Sequence, residues 1–484
     1  MFYLPSYAAG KGKSGCLKRE GSTMKVRVLL AALVGMLVFA GTANAHQVPG
    51  GFSFNLTGDF FDLNDMKAAD LEAAARMAKP EKGSGSARCV SGMANEYPCD
   101  NVNLLDHLSL AEIGAKNESE IGNDSWGWVD PKTRREYAIV GRSDGTAFVD
   151  ISNPRKARFV ADLPTQVDGP RESWRDIKVY KNHAYVVSEH IGHGMQVFDL
   201  TRLRDIGKKE QARTVAADAV YTGVSNTHNL DINTDSGYAY LVGTNTCGNG
   251  VENGGLHMVD IRDPKKPTFA GCATAELPAA PVNNYVHDTQ CVNYEGPDQR
   301  YRGKEICFGS NEQAVIIYDV TNKQDPSVIS QTTYPQASYT HQGWLTEDGK
   351  YFVFNDELDE ITGRSPEDKQ TTYITNVEDL QLPGLVMASP NNTSSTDHNL
   401  YIKDGVIYES NYTSGLRLFD DDGVPSADLE EIGFFDVYPE NDNEGFEGGT
   451  WSNFSRYRDD DIVTVSSIDR GLFVLETDVD RRKR

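Results

Sequence analysis

Four histidines recur at one position of a repeated pattern, and neutral imidazole is the commonest side-chain ligand for transition metals. They are His228, His287, His341 and His398, out of only ten histidines in 484 residues. Three further repeats carry tryptophan at that position: Trp126, Trp174 and Trp451. The seven runs read SWGW, SWRD, THNL, VHDT, THQG, DHNL and GTWS. Three or four imidazoles around an open coordination position suit Zn, Cu or Fe. Repeated histidines on a narrow polar axis could also serve only to satisfy backbone groups and water. A metal-free binding site is the third reading.

A second set of polar residues follows the next apolar run of each repeat. It holds Arg142 and Asp144, Glu189 and His190, Asn245, Asn311 and Glu312, Asp356 and Glu357, Glu409, Asn411 and Tyr412, and Asp469 and Arg470. Carboxylates and amides beside imidazoles can orient metal ligands or move protons. In an antiparallel pair, one strand starts where its neighbour ends, so both sets are expected at one mouth.

The elements that must position these residues are strands. Each ring residue opens one apolar run. A second run follows, as in YAIVG, AYVVS, AYLVG, EICFG, YFVFN, VIYES and IVTVS. A third ends at or near a polar residue, as in FVDIS, VFDL, MVDI, IYDV, YITNV, LFDD and VLET. Asp- and Pro-rich turns such as DISNP and DIRDP stop several third strands. Fourth strands follow in ARFVADL, TFAGCAT, SVISQTT and EIGFFDV. Seven units recurring every 48 to 59 residues predict an all-β fold, a seven-bladed β-propeller over 119–478. A β-sandwich or β-helix is the alternative architecture.

The N-terminal part reads differently. From Met24 the chain runs MKVRVLLAALVGMLVFAGTANA, with a basic start, a short apolar core and a small-x-small cleavage site before His46. Residues 1–45 are therefore expected to be upstream residues and a secretory signal, with Met24 as the initiator. A retained N-terminal anchor is the other reading of that segment. Residues 46–118 form an extension with one helix over 63–79, a KGSGSA connector and an apolar run at 103–113 that could dock on the body. Residues 479–484 are a basic tail.

Six cysteines follow the signal: Cys89, Cys99, Cys247, Cys272, Cys291 and Cys307. An even count in an exported chain favours disulfides, and pairing by neighbours is the simplest of fifteen connectivities. The formal net charge of −24 excludes a nucleic-acid partner, which would need a basic face. No stretch after the signal is apolar enough to span a bilayer, so a periplasmic or extracellular location is expected.

Several longer segments carry a family resemblance. They include NDSWGWVDP (123–131), EYAIVGRSDGTAFVDISNP (136–154), SWRDIKVYKNHAYVVSEH (173–190), GHGMQVFDLTRLR (192–204), THNLDIN (227–233), VHDTQCVNYEG (286–296), THQGWLTEDGKYFVFNDELDE (340–360) and DHNLYI (397–402). Over about 100–478 the chain resembles the LVIVD repeats of bacterial surface proteins and the choice-of-anchor B family. The resemblance implies an exported propeller-like body and brings no settled activity. The chain closes on Asp-Arg-Arg-Lys-Arg rather than the anchor signal for which that family is named.

The functional expectation is an exported binding or interaction module for a protein or small-molecule ligand. The alternative is a metal-dependent oxidoreductase or hydrolase centred on the histidine ring. A divalent transition metal would suit the ring, and Ca²⁺ the acidic turns Asp420–Asp422 and Asp459–Asp461. DINTDSG (231–237) resembles a calcium loop, but its glycine falls one place late and its closing position is Val242, so a hairpin turn fits better. Signatures of serine hydrolases, zinc proteases and nucleotide-binding loops are absent from the sequence.

Overall fold

The computed structural model describes residues 83–479, apart from 118, 168–171, 208, 249–253 and 276–283. The signal segment expected over 1–45, the helix expected over 63–79 and the tail beyond Val479 lie outside the described residues.

Seven sheets of at least four strands follow one another, antiparallel except where the short edge strand Arg213–Thr214 joins Arg158–Pro164 in parallel. Each runs outward from a first strand. These first strands are Gly122–Val129, Arg175–Tyr180, Asn229–Asn233, Asp288–Asn293, Thr340–Leu345, Leu400–Lys403 and Thr450–Phe454. Each first strand packs beside the next, and the seventh packs beside the first, so the circle closes. The protein is a seven-bladed β-propeller.

The blades pack face to face, so their central strands are buried on both sides. Gly145–Asp150, Glu305–Ser310 and Ile462–Ser467 are buried throughout. This is why the second and third runs read as near-continuous apolar segments, without the alternation of a half-solvated strand. Seven apolar seams fill the seven junctions. In the seam between blades one and two, for example, Tyr137, Ile139 and Phe148 meet Ile177, Val186 and Phe198.

Polar side chains also latch the blades near the axis. Carboxylate oxygens of Asp124, Asp176 and Asp231 accept the backbone N–H of Ile177, Leu230 and Cys291, each in the next blade. Gln290 and Gln342 accept those of Leu345 and Leu400 in the same way. The calcium-like run 231–237 is therefore divided. Asp231 is a latch, and Gly237, at φ 74°, closes a hairpin turn by donating to the Asn233 carbonyl.

The boundary expected at 119 falls inside the propeller. Val102–Leu108 pairs with Gly471–Thr477 as the outermost strand of blade seven. Tyr97–Asp100 and Met93–Ala94 extend blade six. The apolar run at 103–113 thus belongs partly to a blade. The three neighbour disulfides are all formed: Cys89–Cys99, Cys247–Cys272 and Cys291–Cys307. The last joins directly opposed residues of the first two strands of blade four. Three disulfides suit an oxidising, exported environment. Among the described residues, no helix is long and apolar enough to cross a membrane.

Candidate functional site at the channel mouth

Each ring histidine enters with the start of a first strand. The backbone N–H of His228 and His287 binds the end of the second strand of the same blade, at Val242 and Ser310. His341 lies inside a β-bulge of Thr340–Leu345. Bulges re-aim side chains next to sites, and Trp451 sits in the corresponding bulge of blade seven.

The four imidazoles form a continuous arc. Successive ring centres, His228 to His287, His287 to His341 and His341 to His398, are each 4.3 Å apart. Trp451 continues the arc at 5.0 Å from His398. All four histidines are buried. Trp174 packs partly buried in the same aromatic cluster, with Tyr339, Tyr412, Phe446 and Ile121.

Trp126 does not join this layer. The bulge in Gly122–Val129 spans Asn123 and Asp124, and Trp126 lies beyond it, opposite Ile139. By register, Asn123 occupies the ring position of blade one. Trp126 instead packs deeper on Phe454 and Tyr401.

Backbone carbonyls set the proton position on two rings. His287 Nδ1 lies 2.9 Å from the His341 carbonyl, and His398 Nδ1 lies 2.5 Å from the Trp451 carbonyl. A carbonyl only accepts, so Nδ1 carries the proton in both. In the neutral ring, Nε2 is then the nitrogen with the lone pair. The Asn355 amide holds the His398 carbonyl in turn, and the Asn229 amide donates to the His287 carbonyl at 3.2 Å.

Carboxylates arrive from the loops after the second strands. Glu189 meets His228 Nδ1 at 2.5 Å. Glu357 is buried between two rings, 3.8 Å from His341 Nε2 and 3.6 Å from His398 Nε2. Its Oε1 accepts the Tyr412 hydroxyl at 2.6 Å. One ligand atom each of His287, His341 and Glu357 lie within 4.8 Å of one another. Glu312, fully buried, stands in the corresponding loop of blade four, one place further from its strand. Glu312 at φ 58° and Tyr412 at φ 36° are both left-handed. Such strain gathers where a site over-determines the backbone.

Three tyrosines also line this mouth: Tyr412 of the second set, and Tyr285 and Tyr339, which spacing alone does not single out. Burial pushes the hydroxyls of Tyr285 and Tyr339 well up, and the negative charges of Glu189 and Glu312 push them further. Burial and Glu357 do the same to Tyr412. Tyr285 and Tyr339 each stand two residues before a ring histidine, in YVH and YTH, a repeated signal that was available in the sequence. Glu172 was also missed. Burial and then Glu189 raise its carboxyl to about 7.

Other residues of the second set do different work. Arg142 is fully buried and bonds Asp144 at 2.9 Å and Asp162 at 2.7 Å, bracing blade one toward its outer strand. Asp356 accepts from Tyr334, Ser338 and Tyr339, and burial raises it to about 6. Glu409 accepts the Thr372 hydroxyl and the Asn411 amide between blades five and six. Asn311 and Asn411 close tight turns onto Ala314 and Gly415. Asp469 holds Ser467 and the Gly449 N–H, and Arg470 pairs with Glu440. His190 turns to the Ile191 carbonyl. The carboxylates of Asp420 and Asp459 accept backbone N–H groups of their own turns, from Asp422 and Asp461.

Below the mouth, the axis changes character. The Lys178 ammonium lies 2.5 Å from Asp176, 3.9 Å from Asp124 and 4.7 Å from the centre of the Trp126 ring. Burial opposes its charge, but Asp176 and Asp124 outweigh burial and hold it well above the ordinary lysine range. Groups of blades one and two thus meet on this ammonium.

No family model matches this chain, and no curated relative does. Among solved structures, it is similar to the hydrazine synthase of Kuenenia stuttgartiensis, at 14% identity over 71% of this chain and 93% of that one, with a TM-score of 0.47. It is also similar to the Cps50 (Swd1) β-propeller domain of Myceliophteria thermophila, at 10% identity over 74% and 99%, with a TM-score of 0.44. Neither likeness bears on the chemistry of the mouth.

Proposed function

We propose that this protein is an exported binding module of the choice-of-anchor B type, whose ligand enters the channel mouth. One observation carries the reading: seven first strands gather four imidazoles, the carboxylates of Glu189 and Glu357, and an aromatic wall at one end of the axis. Concave sites with aromatic walls and a few convergent polar groups are where small ligands bind. The three disulfides support export, and the LVIVD-like repeats support the family. A metal-dependent oxidoreductase or hydrolase is the second reading, favoured by the seat of Glu357 between two imidazoles.

Trp451, edge-to-face with His398, supplies the test. Free amino acids, small sugars and short peptides are titrated while indole emission is followed. A ligand of the mouth changes the emission of the wild type, and Trp451→Phe removes the change. N-terminal sequencing of the exported chain is expected to start at His46. A chain retained in the cytosol, or a response indifferent to Trp451, overturns the proposal.

A further inference from the structure

We infer that the mouth is a mononuclear site for a borderline divalent transition metal of the Zn²⁺ and Cu²⁺ class, held by His287, His341 and Glu357, with His398 beside them. The inference rests on the reading of the mouth as the binding site and names what that site takes.

Proximity is the first argument. His287, His341 and Glu357 each bring one ligand atom into a common space, and His398 Nε2 reaches the same carboxylate. Metal–nitrogen and metal–oxygen bonds near 2 Å hold donors within about 4 Å of one another, so the three groups close by about 1 Å or less on binding.

Orientation is the second. A ligating histidine usually donates its other ring N–H to a carbonyl or carboxylate, which fixes the tautomer. His287 and His398 both do so, each to the backbone carbonyl of the ring residue in the next blade. The carbonyls are parts of the circle itself, so ring closure sets which nitrogen can ligate. Tyr412 orients Glu357 in the same manner.

Donor type is the third. Two or three imidazole nitrogens with one carboxylate oxygen match Zn²⁺, Cu²⁺ or Fe²⁺, whereas Ca²⁺ and Mg²⁺ demand oxygen shells.

The geometry separates this site from the other cysteine–histidine cluster. Cys247, His257 and Cys272 are also close, but the two sulfurs are joined in a disulfide. A disulfide offers no thiolate to a metal.

The full chain is purified from its exported form, stripped with chelator and titrated with Zn²⁺, Co²⁺ and Cu²⁺. Expected are one ion per chain, visible absorption bands of Co²⁺ with nitrogen and oxygen ligands, and quenching of Trp451 emission by Cu²⁺. His341→Ala and Glu357→Gln should each weaken binding at least about 100-fold, the upper end for loss of even an outer-shell partner. His183→Ala, at the start of the second strand of blade two, should leave it unchanged. Should a variant misfold, the wild type still decides: Cu²⁺ quenching that disappears in Trp451→Phe supports the site, and quenching that persists there overturns it. Binding far below one ion per chain, or equal affinity in folded His341→Ala and Glu357→Gln, also overturns it. Trp451 emission that responds to an organic ligand in metal-free protein would leave the mouth a binding site and remove only the metal.

Discussion

Two polar layers share the propeller axis, and they treat charge in opposite ways. In the deeper layer, the Lys178 ammonium pairs with the Asp176 carboxylate, and burial pushes the neighbouring Asp124 carboxyl well up, toward its neutral form. In the mouth, two imidazoles have their protons held by carbonyls and so present nitrogen lone pairs, while Glu357 lies between rings. A self-compensated layer closes a structure. A layer of oriented nitrogen and oxygen donors is suited to holding a ligand. The difference separates a plug from a site, although both are equally buried.

The comparison predicts unequal responses to mutation. The largest effect is expected for Lys178→Met, which strands Asp176 without its cation. Breaking one partner of a buried pair costs about 3–5 kcal/mol, and urea unfolding should show a loss of that order. Metal uptake by the folded fraction should stay within a few-fold. Equal losses of metal affinity for Lys178→Met and His341→Ala would erase the distinction between the layers.

Next is the disulfide that pins the first strand of blade four below His287. Replacing both Cys291 and Cys307 by alanine should cost about 2–4 kcal/mol in the same assay, because the unfolded chain regains freedom. Metal affinity should fall far less than in His341→Ala. A collapse of affinity would mean that the arc depends on the cross-link.

The smallest effect sharpens the deeper layer. Burial raises Asp231 to about 6, while its bond to the Cys291 N–H and the charge of Lys178 oppose the rise. A raised carboxyl contributes stability that is complete below its unfolded value near 4 and lost as pH rises through 6. Asp231→Asn keeps an acceptor for that N–H but cannot ionise. It should therefore be more stable than the wild type at pH 8, by on the order of 1–3 kcal/mol, with the gain vanishing near pH 4. Thermal melts at both values check this, and a pH-independent difference would refute the sign.

The architecture was legible because the blades repeat: the apolar triplets and the period record burial on both faces. The histidine arc was legible for the same reason. Trp126 was not placed correctly, because the bulge at Asn123 and Asp124 leaves no mark in residue type. Lys178 leaves no trace in the repeat pattern because one blade alone carries it. Arg142 and Asp144 stand at a loop offset that resembles their counterparts, yet a guanidinium finds nearer carboxylates within its own blade. The role of Val102–Leu108 was hidden by distance, since hydropathy reports that a strand is buried and says nothing of which edge it joins.

That strand has a temporal consequence. Blade seven takes its outermost strand from near the start of the described chain and its other three from the end. Whichever compartment it folds in, a chain emerging N-terminus first must keep Val102–Leu108 as an unsatisfied edge until the final hairpin appears. Edges of that kind invite foreign strands. Aggregation during synthesis should therefore peak just before the last blade is complete, and truncation there should be more damaging than loss of an outer loop.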